Sequence, residues 1–249
     1  MRAFAPLFVV AGCATAAPAP HPPGGPQWGY EGATGAERWG GLSAEFAVCE
    51  TGTTQSPIDL ANATRADLPD LRFDYRPTPL HVENRGHTVQ VEYQPGSTLM
   101  VGGTPYELLQ FHFHTPAEHR LQGRELPAEL HLVHRGADGG LAVVGVMIER
   151  GERNAALAPV WDHLPRNRGE ERHVPTVTVH AEALLPAGRQ HYRYPGSLTT
   201  PPCTEGVQWL VLDQPIQMSA EQIASLRAII GTSNRPVQPL GARQLLLGT

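Results

Sequence analysis

Polar and apolar residues alternate strictly along the middle of the chain. In Gln110-Phe111-His112-Phe113-His114 the apolar positions are the two phenylalanines, and in Glu129-Leu130-His131-Leu132-Val133 the first two apolar positions are the leucines at 130 and 132. A period of two predicts strands whose successive side chains point to opposite faces. Gln110, His112 and His114 then share one face, as do Glu129, His131 and Val133 on the second strand. Pro116, Gly123 and Pro127 lie between the two segments and predict a hairpin connection. An antiparallel return would set His131 beside His112 and His114. Residues 141–148 are continuously apolar and rich in β-branched side chains, which predicts a strand buried on both faces. Residues 207–212 form another strand. Residues 87–93 alternate after the turn-like Asn84-Arg85-Gly86, predicting a strand on which His87, Val89 and Val91 share a face. Helical signals are few. Asn154 can cap a short helix ending before Pro165, with Pro159 expected to kink or shorten it. Ser219 and Gln222 form a capping box, Met218 and Ile223 can staple it, and Gly231 ends the helix. The pattern is β-rich with minor helix.

Composition narrows the picture. A chain of 249 residues holds one well-filled domain, and its 26 Gly and 24 Pro favour short strands and many turns. With 17% charged residues, a net charge of −5 and no basic run, nucleic acid is not an expected partner. Residues 1–13 read as a leader, with Arg2 followed by an apolar run too short to span a bilayer. Val10-Ala11-Gly12-Cys13 resembles a bacterial lipobox, in which the Cys becomes a lipidated N-terminus; ordinary cleavage near Ala14-Thr15-Ala16 is the alternative. Residues 14–26 are then a Pro/Gly/Ala-rich tether, and residues 27–249 the folded domain.

The candidate chemistry lies in the first two strands. Histidines two apart on a strand sit roughly 6.5–7 Å apart at Cα. Their rings can lean onto one ion, each nitrogen about 2.0–2.1 Å away. Three neutral imidazoles with a fourth position open describe a catalytic zinc site rather than a structural one. Gln110 and Glu129 are placed to accept the remaining ring N–H groups. The plainer alternative is a half-buried strand whose histidines merely bond neighbours.

Taken together, Gln110 to His114, Ala117-Glu118-His119, Glu129 to His134 and Ser197-Leu198-Thr199-Thr200-Pro201-Pro202 resemble an alpha-class carbonic anhydrase of the bacterial, exported type. The likeness runs from about Trp28 to about Leu246. It implies a mainly β (α+β) single domain with a large, twisted, mostly antiparallel central sheet and short peripheral helices. It also implies a Zn2+ hydro-lyase that hydrates CO2 reversibly to bicarbonate and a proton, with His112, His114 and His131 as ligands. By the same resemblance Glu118 accepts from the Thr199 hydroxyl, which orients the attacking hydroxide, and Thr200 assists substrate positioning. Val133, Val143, Leu198 and Trp209 match the family's hydrophobic wall for CO2, though each would also pass as core. His87 matches the proton shuttle, and Gln90 and Tyr30 are accessory. Arg85 stands where many relatives have Asn, and so bears on the shuttle. His119 and His134 read as structural.

Three cysteines leave Cys49 and Cys203 once Cys13 is assigned to the leader. Export and the resemblance both imply a disulfide between them, with two separate buried thiols as the alternative. The partners implied are CO2 and bicarbonate, a lipid anchor at Cys13 and a homodimer, in a periplasmic or membrane-anchored location. A catalytically silent binding module of the same fold is the runner-up. Such modules lose metal histidines, and here all three are present. Another zinc hydrolase would need its own general base and substrate groove, for which no separate motif exists.

Overall fold

Side chains that alternate in the sequence also alternate in burial along the strands. The computed structural model describes residues 26–248; the leader and all but the last residue of the tether, Cys13 included, lie outside them. The strands are β1 (Thr64–Ala66), β2 (Leu71–Asp74), β3 (Thr78–Asn84), β4 (Val89–Glu92), β5 (Thr98–Val101), β6 (Thr104–His114) and β7 (Arg120–Leu121). They continue with β8 (Arg124–Glu125), β9 (Ala128–Gly136), β10 (Leu141–Arg150), β11 (Glu171–Val179), β12 (His191–Ser197), β13 (Glu205–Met218) and β14 (Leu246–Gly248). Twelve of them form one sheet in the order β1-β14-β12-β13-β10-β9-β6-β4-β3-β11, with β2 and β5 joined through β6. The sheet is mixed. Most pairs are antiparallel, as expected, but β10 lies parallel to β13 and β1 parallel to β14.

The main core fills one side of this sheet with Phe111, Phe113, Leu130, Leu132, Val144 and Val146, all buried. These are the apolar positions of the alternating strands, so the opposite face of β6 and β9 is left to the polar set. Residues 142–148 are buried throughout, as continuous apolarity requires. The connection from β6 to β9 is a hairpin, β7 paired with β8 around Gln122 and Gly123, both at positive φ (52° and 79°). It returns β9 antiparallel to β6, as expected from the sequence.

Helices are short and peripheral. The longest, Ala220–Ile230, has the predicted capping box, and Gly231 ends it at φ 64°. The Asn154 side chain caps a 3-10 turn, Ala155–Leu157, which leads into a single α-turn, Ala158–Trp161. Pro159 lies in the first turn of that helix, where its missing N–H costs nothing and its ring is tolerated.

One expectation fails. His87 does not belong to a strand with Val89 and Val91, because β4 begins only at Val89. The Asn84 side chain accepts from Gly86 N–H at 2.8 Å, and Gly86 takes φ 88°. This side-chain-to-backbone bond shapes a turn that holds His87 outside the ladder.

Candidate metal centre

Strand register alone brings the three imidazoles together. His112 of β6 is the direct cross-strand partner of His131 on β9, and His114 is the partner of Glu129. The ring centroids of His112, His114 and His131 lie 4.7–5.3 Å apart. One nitrogen from each lies within 4.8 Å of the others.

In each ring one nitrogen is already engaged. His112 Nδ1 bonds Gln110 Oε1 at 2.8 Å, and His114 Nδ1 bonds the Ser233 carbonyl at 2.6 Å. His131 uses Nε2 toward Glu129 Oε1 at 2.9 Å. The atoms left to converge are therefore Nε2 of His112, Nε2 of His114 and Nδ1 of His131. Burial holds all three rings below the ordinary imidazole range, most strongly at His112, where the neighbouring histidines add to it. Neutral imidazoles are the form that binds metal.

His114 Nε2 is buried with no hydrogen-bond partner and faces the Glu118 carboxylate, Oε2 lying 3.6 Å away. Such an orphan costs about 1–3 kcal/mol, and a cation among the three nitrogens satisfies the imidazole and faces the carboxylate. The donor set fits a divalent metal. His119, Glu129 and His131 also cluster closely, but that trio is satisfied without an ion. Glu129 Oε1 accepts from His119 Nδ1 at 2.7 Å and from His131, while Oε2 accepts the backbone N–H groups of Glu118 and His119. Burial acts to raise the Glu129 carboxyl, but these partners hold it well below the usual range.

Around the imidazoles stand the other sequence-predicted residues. Glu118 is buried, and burial pushes its carboxyl up to about 7 against the pull of His131, the Arg235 N–H and the Thr199 hydroxyl. Its Oε1 accepts from Arg235 N–H at 2.9 Å. Val133, Val143 and Trp209 are successive cross-strand partners over β9, β10 and β13, making a continuous apolar strip beside His131. The Trp209 ring centroid is 4.8 Å from that of His131. Leu198, half-buried, packs against the same cluster. Thr199 and Thr200 follow β12 in a loop closed by Leu198 N–H to the Thr204 carbonyl and Cys203 N–H to the Thr200 carbonyl, each at 2.9 Å. Gln90 is the cross-strand partner of His112 on its other side. His87 packs against Trp28 at 4.4 Å and Tyr30 at 6.4 Å between centroids. The Tyr30 hydroxyl is buried, and burial first, then the Glu118 charge, raises its pKa well above the ordinary value. Arg85 is held by Glu83 at 3.0 Å and Glu92 at 3.4 Å.

Several supporting residues were not singled out from the sequence. Ser233 fixes the His114 ring, and Arg235 braces Glu118. Buried Arg235 also donates to Gln55, to the Ser56 carbonyl and to the Cys49 carbonyl at 2.7–2.8 Å. His119, expected from the sequence to be structural, couples β9 to the Thr199 loop: Nδ1 meets Glu129 and Nε2 meets Tyr194 OH, which donates to Ser56 Oγ, and Ser56 Oγ accepts from Ser197 N–H. Cys49 and Cys203 are joined by a disulfide, which closes the same assembly.

A cluster of three neutral imidazoles beside an apolar strip has the donor set of an enzyme that holds a divalent metal. The comparisons with known proteins agree and narrow it. A family model described as eukaryotic-type carbonic anhydrase matches residues 34–247. A carbonic anhydrase of Nostoc sp. is 45% identical over 224 residues, spanning 88% of this chain and 85% of the relative. A carbonic anhydrase of Pectobacterium carotovorum is 42% identical over 220 residues, spanning 88% and 90%. The solved alpha-carbonic anhydrase of Thermovibrio ammonificans, in complex with the inhibitor sulfanilamide, superposes with a TM-score of 0.87. It is 44% identical, over 90% of this chain and all of that one. The chain belongs to the eukaryotic-type, or alpha, carbonic anhydrase family.

Proposed function

We propose that the chain is a zinc-dependent carbonic anhydrase, interconverting CO2 with bicarbonate and a proton. The convergence of three otherwise-engaged neutral imidazoles beside Glu118, Thr199 and a dry wall carries this reading. His112, His114 and His131 would hold the ion through Nε2, Nε2 and Nδ1. Zn2+ bound there supplies a Lewis acid that makes water nucleophilic at neutral pH, a property established for carbonic anhydrases in general rather than read from this chain.

The remaining work belongs to side chains. Gln110, the Ser233 carbonyl and Glu129 accept the far N–H of each ring, fixing tautomer and aim. Thr199 donates a hydrogen bond from its hydroxyl to Glu118, so its oxygen is left to accept from the attacking water, whose own lone pair is thereby turned toward the substrate carbon. The Thr199 backbone N–H is a donor to a substrate oxygen, and Thr200 assists in positioning bicarbonate. Val133, Val143, Leu198 and Trp209 exclude water and seat an apolar substrate. His87 carries the released proton outward, with Gln90 and Tyr30 lining the route. Arg85, neutralised by two carboxylates, leaves that route without an unpaired cation beside it.

The disulfide supports export to an oxidising compartment. Among the described residues no helix is long and apolar enough to cross a membrane. A periplasmic location with a lipid anchor at Cys13 extends this reading, as does a homodimer; mass analysis of the membrane fraction and light scattering test them. Stopped-flow CO2 hydration by purified protein tests the function itself. Turnover should vanish after chelation and return with Zn2+. A zinc-loaded protein no faster than buffer would overturn the reading.

A further inference from the structure

We propose that His81, Glu171 and His173 form a second metal site, for a divalent transition ion such as Zn2+, at the outer edge of the sheet. Strand pairing builds it. β11 is the last strand of the sheet and β3 its neighbour, with His173 the direct cross-strand partner of His81. Along β3 burial alternates, with Thr78, Leu80, Val82 and Asn84 buried and His81 turned outward with Glu83. Glu171 lies two residues before His173 on β11, and its carboxylate reaches the same point as the two rings. The imidazole centroids are 3.8 Å apart with planes tilted by 30°. Both Nε2 atoms meet a single oxygen, Glu171 Oε1, the one from His173 at 2.6 Å. The three donor atoms lie within 4.8 Å of one another.

Charge pairing marks this carboxylate out from its neighbours. Glu83 is neutralised by Arg85, and Glu170 by Arg172. The ion pairs of Glu171 among the described residues are with the two imidazoles alone. The hydrogen bond from His173, before that from His81, draws its carboxyl below the usual range, so it stands ionised. Two imidazoles and a carboxylate are a recognised zinc donor set, and imidazole donors favour zinc, copper and nickel over calcium or magnesium. The side chains of His81, Glu171 and His173 are 31%, 47% and 64% exposed, leaving room for rotation and for solvent ligands. An ion here displaces the Nε2 protons now shared with one oxygen. β4 separates this cluster from β6, so it stands apart from the catalytic centre.

The test is calorimetric titration of ZnCl2 into the zinc-loaded enzyme, with metal content read after desalting. The wild-type protein should take up one further ion per chain. His81→Asn, His173→Asn and Glu171→Gln should each abolish that uptake, while retaining the catalytic zinc and the wild-type rate of CO2 hydration. No further uptake by the wild-type protein would overturn the proposal, and so would uptake that survives these substitutions. Because the readout is an ion beyond the catalytic one, failure here leaves the carbonic anhydrase reading standing.

Discussion

Each imidazole of the His112, His114 and His131 cluster has one nitrogen bonded to protein, and that bond decides which nitrogen is left to bind a metal. His131 differs from the other two because Glu129, two residues before it on the same strand, takes Nε2 and leaves Nδ1. His87, packed against Trp28, owes its proposed role to the resemblance of the sequence around it to the family's proton shuttle. His87→Ala should slow CO2 hydration in weak buffer, by up to about a hundredfold, and recover with added imidazole; a rate independent of buffer would remove His87 from the proton path. His134 shows the structural use of the same side chain. Its ring is buried between Tyr75 OH at 2.6 Å and the Ala142 carbonyl at 3.2 Å, and burial pushes its pKa down to about 4. The unfolded chain binds a proton at this group near pH 6.5 and the folded one only near 4. Its stabilising contribution is therefore complete above about 6.5 and is lost as pH falls toward 4, roughly 3 kcal/mol in all. His134→Asn should be less sensitive to acid across that window in urea titrations, and an unchanged pH dependence would contradict this.

Strand register converts these residues into a site. The alternation around His112 and His131 was readable because one face is core and the other is not, and a one-residue slip would exchange them. The hairpin returning β9 was readable too, from its Gly and Pro. Other features were hidden. Periodicity reveals burial but not partner direction, so the parallel pairing of β10 with β13 had no local signal. The start of β4 was misread because the Asn84 side chain shapes a turn that alternation cannot report. Ser233 and Arg235 lie in irregular chain and act over separations of 117–186 residues, which no local pattern encodes. Gly145 belongs with them. It is the cross-strand partner of both His131 and Val211, and a Cβ there would meet Glu129 Oε1 at 3.1 Å and the Val211 methyls at 3.2–3.3 Å. Gly145→Ala should displace the Glu129 carboxylate from His131 and weaken zinc retention by roughly 10–100-fold. Wild-type zinc affinity in that variant would show that Glu129 can yield without consequence.

Across the whole molecule, distant chain segments meet at the Thr199 loop. The Cys49–Cys203 bridge spans 154 residues, and Arg235 binds the Cys49 and Ser56 carbonyls and Glu118 at once. Cys49→Ser should lower stability by about 2–5 kcal/mol in urea unfolding and loosen the loop; an unchanged midpoint would mean that Arg235 and Ser56 hold it unaided. The disulfide was foreseeable from cysteine number and export, whereas the arginine that shares its task was not. The most direct test of the central claim is anomalous diffraction at the zinc edge on crystals of the purified enzyme. A peak about 2.0–2.1 Å from Nε2 of His112, Nε2 of His114 and Nδ1 of His131, with no protein atom in the fourth position, is the predicted result. An active enzyme whose crystals show no metal among those three nitrogens, or a metal capped by Glu118, would contradict it.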